Sequence, residues 1–422
     1  MMSIMVESVA TEWPSRPIQR GVLLSMAVVL LLAVTGCTSS SSSHSQSAAS
    51  ASSAPSPTTA KDPTVQVAGT AAKVSYLSPV RLSVTDGSFS SVQVMAKVGD
   101  QELAGSVSGD GVSWVSEDPP KPSSSYKVVA TVKDGGGREL PQTMTFQVAA
   151  VPDDQKVSFN VTPADGSTVG IGEPIVVRFL TPVTQRAAVE KVMVVNASSP
   201  GGKAVSGSWH WLSSLEVHWR PKVFWPPGTK VHLDLRIAGV KAAANRYGRK
   251  DYSQTFTIGA SHVTQVDATT HRARVYRDGK LVNDWPSGTG KSGLETYSGT
   301  YVVLGKAAVV QMDSCSARIT CDKKNPDYYD GKEYWATRIT ASGTFLHAAS
   351  WDGLLGQANV SHGCIHLSDA DAQNFYNHAV VGDVVIVSHT GRGPQQRIAT
   401  QDPGLYDWNL SWSAWKAGSA LH

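Results

Sequence analysis

The chain has 422 residues, which at roughly 100 to 200 residues per domain is enough for two to four domains. Its 17% charged and 41% hydrophobic residues are typical of a folded protein and exclude a disordered one. The net charge is +3 and the sequence has no Lys/Arg block, so no nucleic acid is expected as a partner. Four cysteines in a chain of this length exclude a disulfide-dense scaffold.

The amino terminus has the pattern of an export signal. Arg16 and Arg20 precede an apolar run over 21–34, which is too short for a membrane span and suits a signal-peptide core. The run ends in Val-Thr-Gly-Cys at 34–37, which resembles the lipobox of bacterial lipoproteins. We therefore expect a lipoprotein signal peptide over 1–37, with Cys37 as the lipidated residue. The alternative is an ordinary signal peptide with an incidental cysteine.

Residues 38–61 are rich in Ser and Ala and are uncharged up to Lys61, which is typical of a flexible tether. Acyl chains on Cys37 would hold the protein on a membrane surface. The sequence therefore predicts a folded part that is lipid-anchored in the cell envelope, on the extracytoplasmic face of the plasma membrane.

Two segments, 62–150 and 151–259, consist of short alternating runs separated by turn residues. The runs 126–132 and 231–235 show the period of two that half-buried strands have, and Asp-Gly and Gly-rich turns lie between such runs. The closing run 255–258 resembles the run 145–148 of the first segment. This repetition predicts two immunoglobulin-like β-sandwiches in tandem.

A third unit covers 260–390, and a tail covers 391–422. The unit begins with a predicted hairpin turning at Asp278-Gly279 and has one clear predicted helix at 368–378, with Ser368 as its N-cap. In the tail, Trp408, Trp412 and Trp415 have i, i+4, i+7 spacing, which predicts one apolar stripe on a helix. We expect this stripe to pack against the domain junction; the alternative is a platform for stacking carbohydrate.

The segment 361–366, with sequence SHGCIH, has the residues that cysteine chemistry requires. Cys315 and Cys321 lie six apart in a polar loop and are expected to form a disulfide in an oxidising compartment, which leaves Cys364 without a structural role. A cysteine nucleophile needs a base and oxyanion donors, which His347 and Gly363 could supply. Two alternatives remain: a buried structural cysteine, and a metal site. The metal site would use His362, Cys364 and His366, with His347 as a fourth ligand.

The spacing of His347 from Ser361-His362-Gly363-Cys364 resembles the catalytic signature of the L,D-transpeptidases, the YkuD-type cysteine enzymes of bacterial peptidoglycan. The arrangement of the whole chain after residue 60 is also similar to the family members with two immunoglobulin-like domains. The resemblance implies a mainly β protein: two tandem immunoglobulin-like β-sandwiches, then a β-rich YkuD-type L,D-transpeptidase catalytic domain and a Trp-rich C-terminal tail.

The resemblance also implies residue roles. Cys364 would be the nucleophile and His347 its general base, oriented by the carbonyl of Ala348. The backbone N–H groups of Gly363 and Cys364 would form the oxyanion hole, and His362 would position and polarise the loop. The remaining matching positions would contact substrate: Met312, Tyr329, Ser342, Gly343, Trp351, Ser361 and His366.

The implied reaction is a 3→3 cross-link between two peptidoglycan stem peptides, one the donor and one the acceptor. Cys364 would form a thioester with the third residue of a tetrapeptide donor and release D-Ala, and an acceptor amine would then resolve the thioester. Carbapenems would be covalent inhibitors, and no cofactor or metal is implied. The alternatives are a non-catalytic cell-wall-binding lipoprotein and the metal-binding protein described above. A sortase is disfavoured because no Thr-x-Thr-Cys run is present.

The chain departs from the family pattern at three places. His366 stands where the family has Asn, which could shift substrate preference because a neutral His has a different reach from an amide. An aromatic residue expected near Ala317, in the loop over the active site, is missing. The stretch 240–246 lacks the carboxylates of an acidic calcium-binding loop, so no calcium is expected there.

Overall fold

The computed structural model describes residues 61–69, 72–394 and 406–421. The predicted signal peptide, the lipidation site Cys37 and the tether up to residue 60 lie outside the described residues. Within the described ranges, no helix is both long enough and apolar enough to cross a bilayer.

The first domain is a sandwich of two antiparallel sheets. Its strands are β1 Thr64–Val67, β2 Arg81–Thr85, β3 Gly87–Ala96, β4 Gly105–Val107, β5 Ser113–Ser116, β6 Ser125–Asp134 and β7 Glu139–Gln147. One sheet has the order β1-β2-β5-β4 and the other β3-β6-β7. Alternate side chains of β6, among them Val128 and Val132, are buried against Trp114, because successive residues of a strand point to opposite faces.

The second domain repeats this architecture with a core rich in tryptophan. After a 3₁₀ turn at Asp153–Gln155, its elements are β8 Lys156–Val157, β9 Phe159–Thr162, β10 Thr168–Val169, β11 Ile175–Phe179, α1 Arg186–Glu190, β12 Met193–Ser198, β13 Gly207–Trp211, β14 Glu216–Pro221, β15 Lys230–Leu235, β16 Lys241–Ala243, β17 Arg246–Gly248 and β18 Tyr252–Ile258. The main sheets have the orders β10-β18-β15-β12 and β13-β14-β11-β9. Trp209, Trp219 and Trp225 are buried between them.

The third domain holds two further sheets and one longer helix. Its elements are β19 His262–Asp267, β20 Arg272–Arg277, β21 Lys280–Pro286, β22 Gly299–Val302, β23 Gly305–Asp313, β24 Asp330–Arg338, β25 Phe345–Ala348, β26 Ile365–Leu367, α2 Asp369–His378 and β27 Val384–Ser388. The sheets have the orders β21-β20-β19-β27-β22 and β23-β24-β25-β26. The mainly β fold with two sandwiches ahead of a third β-rich unit is as predicted.

Two local predictions in this domain are confirmed. The β20–β21 hairpin turns at Asp278 and Gly279, whose φ angles of 48° and 77° are those of a type I′ turn. The Ser368 side chain caps α2 by accepting a hydrogen bond from the backbone N–H of Asp371 at 3.2 Å. The inner face of α2, with Ala372 and Phe375, packs into the core of the domain.

The tail differs from its prediction. Instead of one helix there are two short ones, α3 Tyr406–Asn409 and α4 Trp412–Lys416, so the prediction of one continuous stripe is wrong. The cause is Ser411, whose side chain accepts a hydrogen bond from the backbone N–H of Ala414 at 3.2 Å and starts a new helix.

The tail nevertheless packs at the predicted junction. Arg220 of the second domain lies over three tail rings, with its guanidinium carbon 4.8 Å from the centroid of Trp408, 5.3 Å from Trp412 and 4.5 Å from Trp415. On the other side, the side chain of Asn409 exchanges two hydrogen bonds with the backbone of Thr300 in the third domain, each of 2.8 Å. The tail therefore joins these two domains.

Candidate active site

Two parallel strands place the predicted base beside the predicted nucleophile. His347 lies in β25 and pairs with His366 in β26, while Cys364 immediately precedes β26. The pairing therefore brings His347 and Cys364, which are 17 residues apart in sequence, to adjacent strands of one sheet. The opposite wall is formed by the β23–β24 hairpin and its connecting loop 314–329. We call this loop the flap.

The wall and the strands enclose a cleft of about 450 Å³. It is lined by nearly all of the predicted site residues: Met312, Tyr329, Ser342, Gly343, His347, Trp351, His362, Gly363, Cys364 and His366. Ser361 is the exception, since it does not line the cleft and is only 1% exposed.

Ser361 instead braces the loop that carries the nucleophile. Its hydroxyl donates to the carbonyl of Cys364 at 2.6 Å and accepts from the backbone N–H of Gly363 at 3.0 Å. Gly363 has φ of 123°, a conformation that favours glycine. Its N–H is bonded to Ser361 in this structure, so the role of Gly363 as an oxyanion donor stays a prediction. The N–H of Cys364 is the other candidate.

The nucleophile and the base line the same cleft. The Cys364 side chain acts on the imidazole of His347 and raises its pKa, and the thiol sulfur lies 3.9 Å from the carbonyl oxygen of Gly343. The Nδ1 of His347 lies 2.8 Å from the carbonyl oxygen of Ala348, which is the orienting contact that the family resemblance implied. The ring is thus held at Nδ1.

A second acceptor at His347, Glu333, was missed by the sequence reasoning. Its Oε2 lies 3.2 Å from the same Nδ1, and the two side chains are 19% and 4% exposed. Burial by itself would lower the pKa of His347, but the hydrogen bonds and charges of Cys364 and Glu333 raise it to about 10. The imidazole of His347 is therefore cationic at neutral pH. Glu333 lies in β24, whereas Tyr329 lies in the flap before it, so strand alternation could not relate the two in the sequence.

The opposite side of the cleft is formed by an aromatic pair. The rings of Tyr329 and His362 lie 4.9 Å apart. Burial, followed by the charge of Cys364, raises the pKa of Tyr329 above its ordinary value, so its hydroxyl stays protonated and can donate. Burial and then the charge of Lys291 lower the pKa of His362, so this ring is neutral at physiological pH.

The geometry does not support the metal alternative. His362 faces Tyr329, whereas the Nδ1 of His366 lies 2.8 Å from Asp352 on the other side of the cleft. Among the residues that the structure describes, no three His, Cys, Asp or Glu side chains are grouped so that they could hold a metal ion.

The flap loop is closed by a disulfide between Cys315 and Cys321. Ser314 beside it is fully buried and binds the backbone of Thr320 and Tyr329, with distances of 2.8 to 3.2 Å. Ala317, Arg318 and Ile319 line the cleft. These three residues occupy the place where an aromatic residue was expected.

Sequence comparisons agree with this geometry. Residues 261–387 match the model of the L,D-transpeptidase catalytic domain, and residues 71–241 match that of a bacterial Ig domain. Over 358 residues the chain is 34% identical to L,D-transpeptidase 2 of Mycobacterium tuberculosis, which covers 85% of this chain and 84% of that one. The chain belongs to the L,D-transpeptidase family.

Two further family members are similar to all or part of the chain. L,D-transpeptidase 5 of Mycobacterium tuberculosis is 31% identical over 366 residues, covering 85% of this chain and 77% of that one. Among solved structures, L,D-transpeptidase 3 from Mycobacterium tuberculosis in complex with a faropenem-derived adduct has 32% identity and a TM-score of 0.46, covering 56% of this chain and 98% of that one. The family predicted from the motif at 347–364 is confirmed by the catalytic-domain match and by the sequence relatives.

Proposed function

We propose that this L,D-transpeptidase forms 3→3 cross-links in peptidoglycan, with Cys364 as nucleophile and His347 as its acid and base. The observation that carries the proposal is the presence of Cys364 and His347 in one cleft, with the imidazole oriented by the carbonyl of Ala348 and its pKa raised by Cys364. A nucleophile, a base and a group that orients the base are the three parts of an acyl-transfer site.

In the first step, the thiolate of Cys364 attacks the carbonyl carbon of the third residue of a tetrapeptide donor. The C–N bond to D-Ala breaks, and the proton held on His347 goes to the departing amine. The developing oxyanion is stabilised by the backbone N–H of Cys364 and by the hydroxyl of Tyr329, which burial keeps protonated.

In the second step, the side-chain amine of an acceptor stem attacks the thioester. Its proton goes to His347, now neutral, and the C–S bond breaks to return the thiolate. The product is the 3→3 amide bond. Met312, Ser342, Gly343 and Trp351 line the same cleft and would contact the stems.

A carbapenem would enter the same chemistry, because its strained lactam offers a carbonyl to the thiolate and has no free leaving group. The lactam C–N bond opens while the ring fragment stays attached to the enzyme. Carbapenems are therefore proposed as covalent inhibitors of this chain.

We further propose that the enzyme works on the extracytoplasmic face of the plasma membrane, held by a lipid on Cys37. The support is the order of features in the sequence: two arginines, an apolar run, the lipobox-like 34–37 and an uncharged tether. Peptidoglycan stems are then within reach of the cleft.

Intact mass spectrometry tests the chemistry directly. With a tetrapeptide donor the protein should gain the donor mass less D-Ala, and with a carbapenem it should gain the whole drug mass. Cys364→Ala should abolish both adducts, and His347→Ala should slow their formation about 10²- to 10⁴-fold.

The matched control is the double variant Cys315→Ser/Cys321→Ser, which removes two sulfurs and keeps the nucleophile. It should still form both adducts on Cys364. Normal adduct formation by Cys364→Ala would disprove the cysteine mechanism.

A further inference from the structure

The third histidine of the cleft, His366, is paired with a buried carboxylate. Its Nδ1 lies 2.8 Å from Oδ2 of Asp352, and the two side chains are only 4% and 1% exposed. The other carboxylate oxygen of Asp352 accepts the backbone N–H of Leu354 at 2.9 Å. Both oxygens are therefore engaged, and the carboxylate is fixed against the ring.

This pairing decides where the ring proton of His366 lies. Burial, and then the positive charge of His347, lower the pKa of His366 to about 4, although Asp352 acts in the opposite direction. The ring is therefore neutral near pH 7 and carries one proton. An ionised carboxylate can only accept, so the proton is on Nδ1 and Nε2 has a free lone pair.

The ring of His366 lies beside the ring of His347. The rings of His366 and His347 meet edge to face, with centroids 5.0 Å apart, and Trp351 contacts His366 on another side at 4.9 Å. Among the described residues Nε2 has no hydrogen-bond partner, and the ring lines the cleft. The backbone of His366 is fixed too. Its N–H donates to the carbonyl of Gly288 at 2.8 Å, and its carbonyl accepts from the N–H of Gly288 at 3.2 Å.

We propose that His366 Nε2 is a hydrogen-bond acceptor for an N–H group of the stem peptides, and that Asp352 is the positioning residue that fixes this tautomer. The proposal rests on the function proposed above. Two substrate groups have the required chemistry: the scissile amide N–H of the donor and the amine of the acceptor. An Asn side chain can accept or donate, whereas this pair can only accept, so the cleft selects for N–H at this point.

His366 takes up no proton in either case. The proton of the attacking amine still goes to His347, and His366 only holds a second N–H of that amine, or the amide N–H of the donor. The contact therefore affects orientation and binding, and the bonds that form and break are those given above.

One measurement on the unaltered protein tests the tautomer, and one comparison with the His366→Asn variant tests its use. In ¹⁵N NMR of histidine-labelled protein, His366 should show a protonated Nδ1 and an unprotonated Nε2. A donor in which the terminal D-Ala amide is replaced by a D-lactate ester lacks the N–H. If the contact is to the donor, exchanging His366 for Asn should change the amide-to-ester preference by about tenfold.

Asp352→Asn reverses the polarity of the site. The new amide can donate to Nδ1, which moves the ring proton to Nε2 and turns an acceptor into a donor. We expect a loss of about 10- to 100-fold, the usual effect of opposing two donors in a buried site. The loss falls on donor acylation if the contact is to the amide, and on aminolysis of the thioester if it is to the acceptor amine. Carbapenem acylation should change far less, because the lactam nitrogen has no N–H.

The matched control is the same change in the His366→Asn background, where Asp352→Asn should have no more than a twofold effect. A protonated Nε2 in the unaltered protein, or unchanged rates of both steps in a folded Asp352→Asn variant, would overturn the proposal. Failure of the proposed function has a different signature: no acyl-enzyme would form even in the unaltered protein, while the NMR tautomer would still be readable.

Discussion

Replacing Glu333 by Gln tests how the buried imidazole of His347 keeps its charge. Oε2 of Glu333 lies 3.2 Å from Nδ1, which also contacts the carbonyl of Ala348 at 2.8 Å. Gln has the same length as Glu and its amide oxygen can still accept from Nδ1. The substitution therefore removes a negative charge and little else.

The size of the effect follows from the environment of His347. Burial lowers its pKa, and Cys364 and Glu333 together raise it to about 10. A hydrogen bond to a charged group is worth about 1.5 to 3 kcal/mol, and one pKa unit corresponds to about 1.4 kcal/mol, so the pKa of His347 should fall by about 1 to 2 units. The imidazolium is lost as the pH rises through this pKa. The fall in acylation rate at alkaline pH should therefore move from near pH 10 to about pH 8 to 9.

The assay is the rate of acylation by a carbapenem, followed by intact mass between pH 6.5 and 10.5, with circular dichroism to show that the protein stays folded at each pH. Asp330→Asn is the matched control. It removes a carboxylate from the same strand, but Asp330 is bonded to Gln311 at 2.7 Å and not to His347. Its pH profile should follow that of the unaltered protein. If the Glu333→Gln profile coincided with both, Glu333 would have no part in holding the charge.

Two further predictions concern the flap and the domain junction. Thiol counting on the denatured, unreduced chain without its first 60 residues should give one thiol, because Cys315 and Cys321 are joined; three would refute the disulfide. At the junction, burial and the charge of Asp407 raise the pKa of Glu173 to about 8, and for His218 burial lowers the pKa while Asp407 raises it to about 9. Both groups hold protons more tightly in the folded state, with ordinary values of 4.5 and 6.5. Stability from Glu173 is thus lost between pH 4.5 and 8, and that from His218 between pH 6.5 and 9. The melting temperature should fall from pH 6.5 to 9, and a flat profile would contradict this.

Much of the fold follows from local sequence signals. The Asp278-Gly279 turn and the Ser368 cap are fixed by backbone conformation and by a single side chain, so residues a few positions apart suffice to predict them. The tail shows the limit of such reasoning. The spacing of its tryptophans is compatible with one helix, but Ser411 starts a new one, and Arg220, almost 200 residues earlier, lies against all three rings. That contact exists only after the second domain has folded.

The candidate site divides in the same way. Cys364 and His347 could be found because the chemistry needs both at a fixed separation. The bond from the Gly363 N–H to Ser361 could have been anticipated, since Ser side chains commonly bind the backbone N–H two residues on. Asp352 gave no signal, because it lies in a loop where no strand or helix period indicates the direction of a side chain.

Two histidines of the cleft, His347 and His366, show why sequence alone could not assign their roles. His347 and His366 are both buried and both have a carboxylate within 3.2 Å, yet the pKa of the first is raised and that of the second lowered. The difference arises from Cys364. Cys364 raises the pKa of His347 and adds to the effect of Glu333, so this ring takes the proton. Burial disfavours a charge on His366, and the two imidazoles, 5.0 Å apart, also repel when both are charged, so His366 stays neutral despite Asp352. Groups whose environments drive their pKa values apart have different tasks: His347 moves protons, and His366 offers a lone pair.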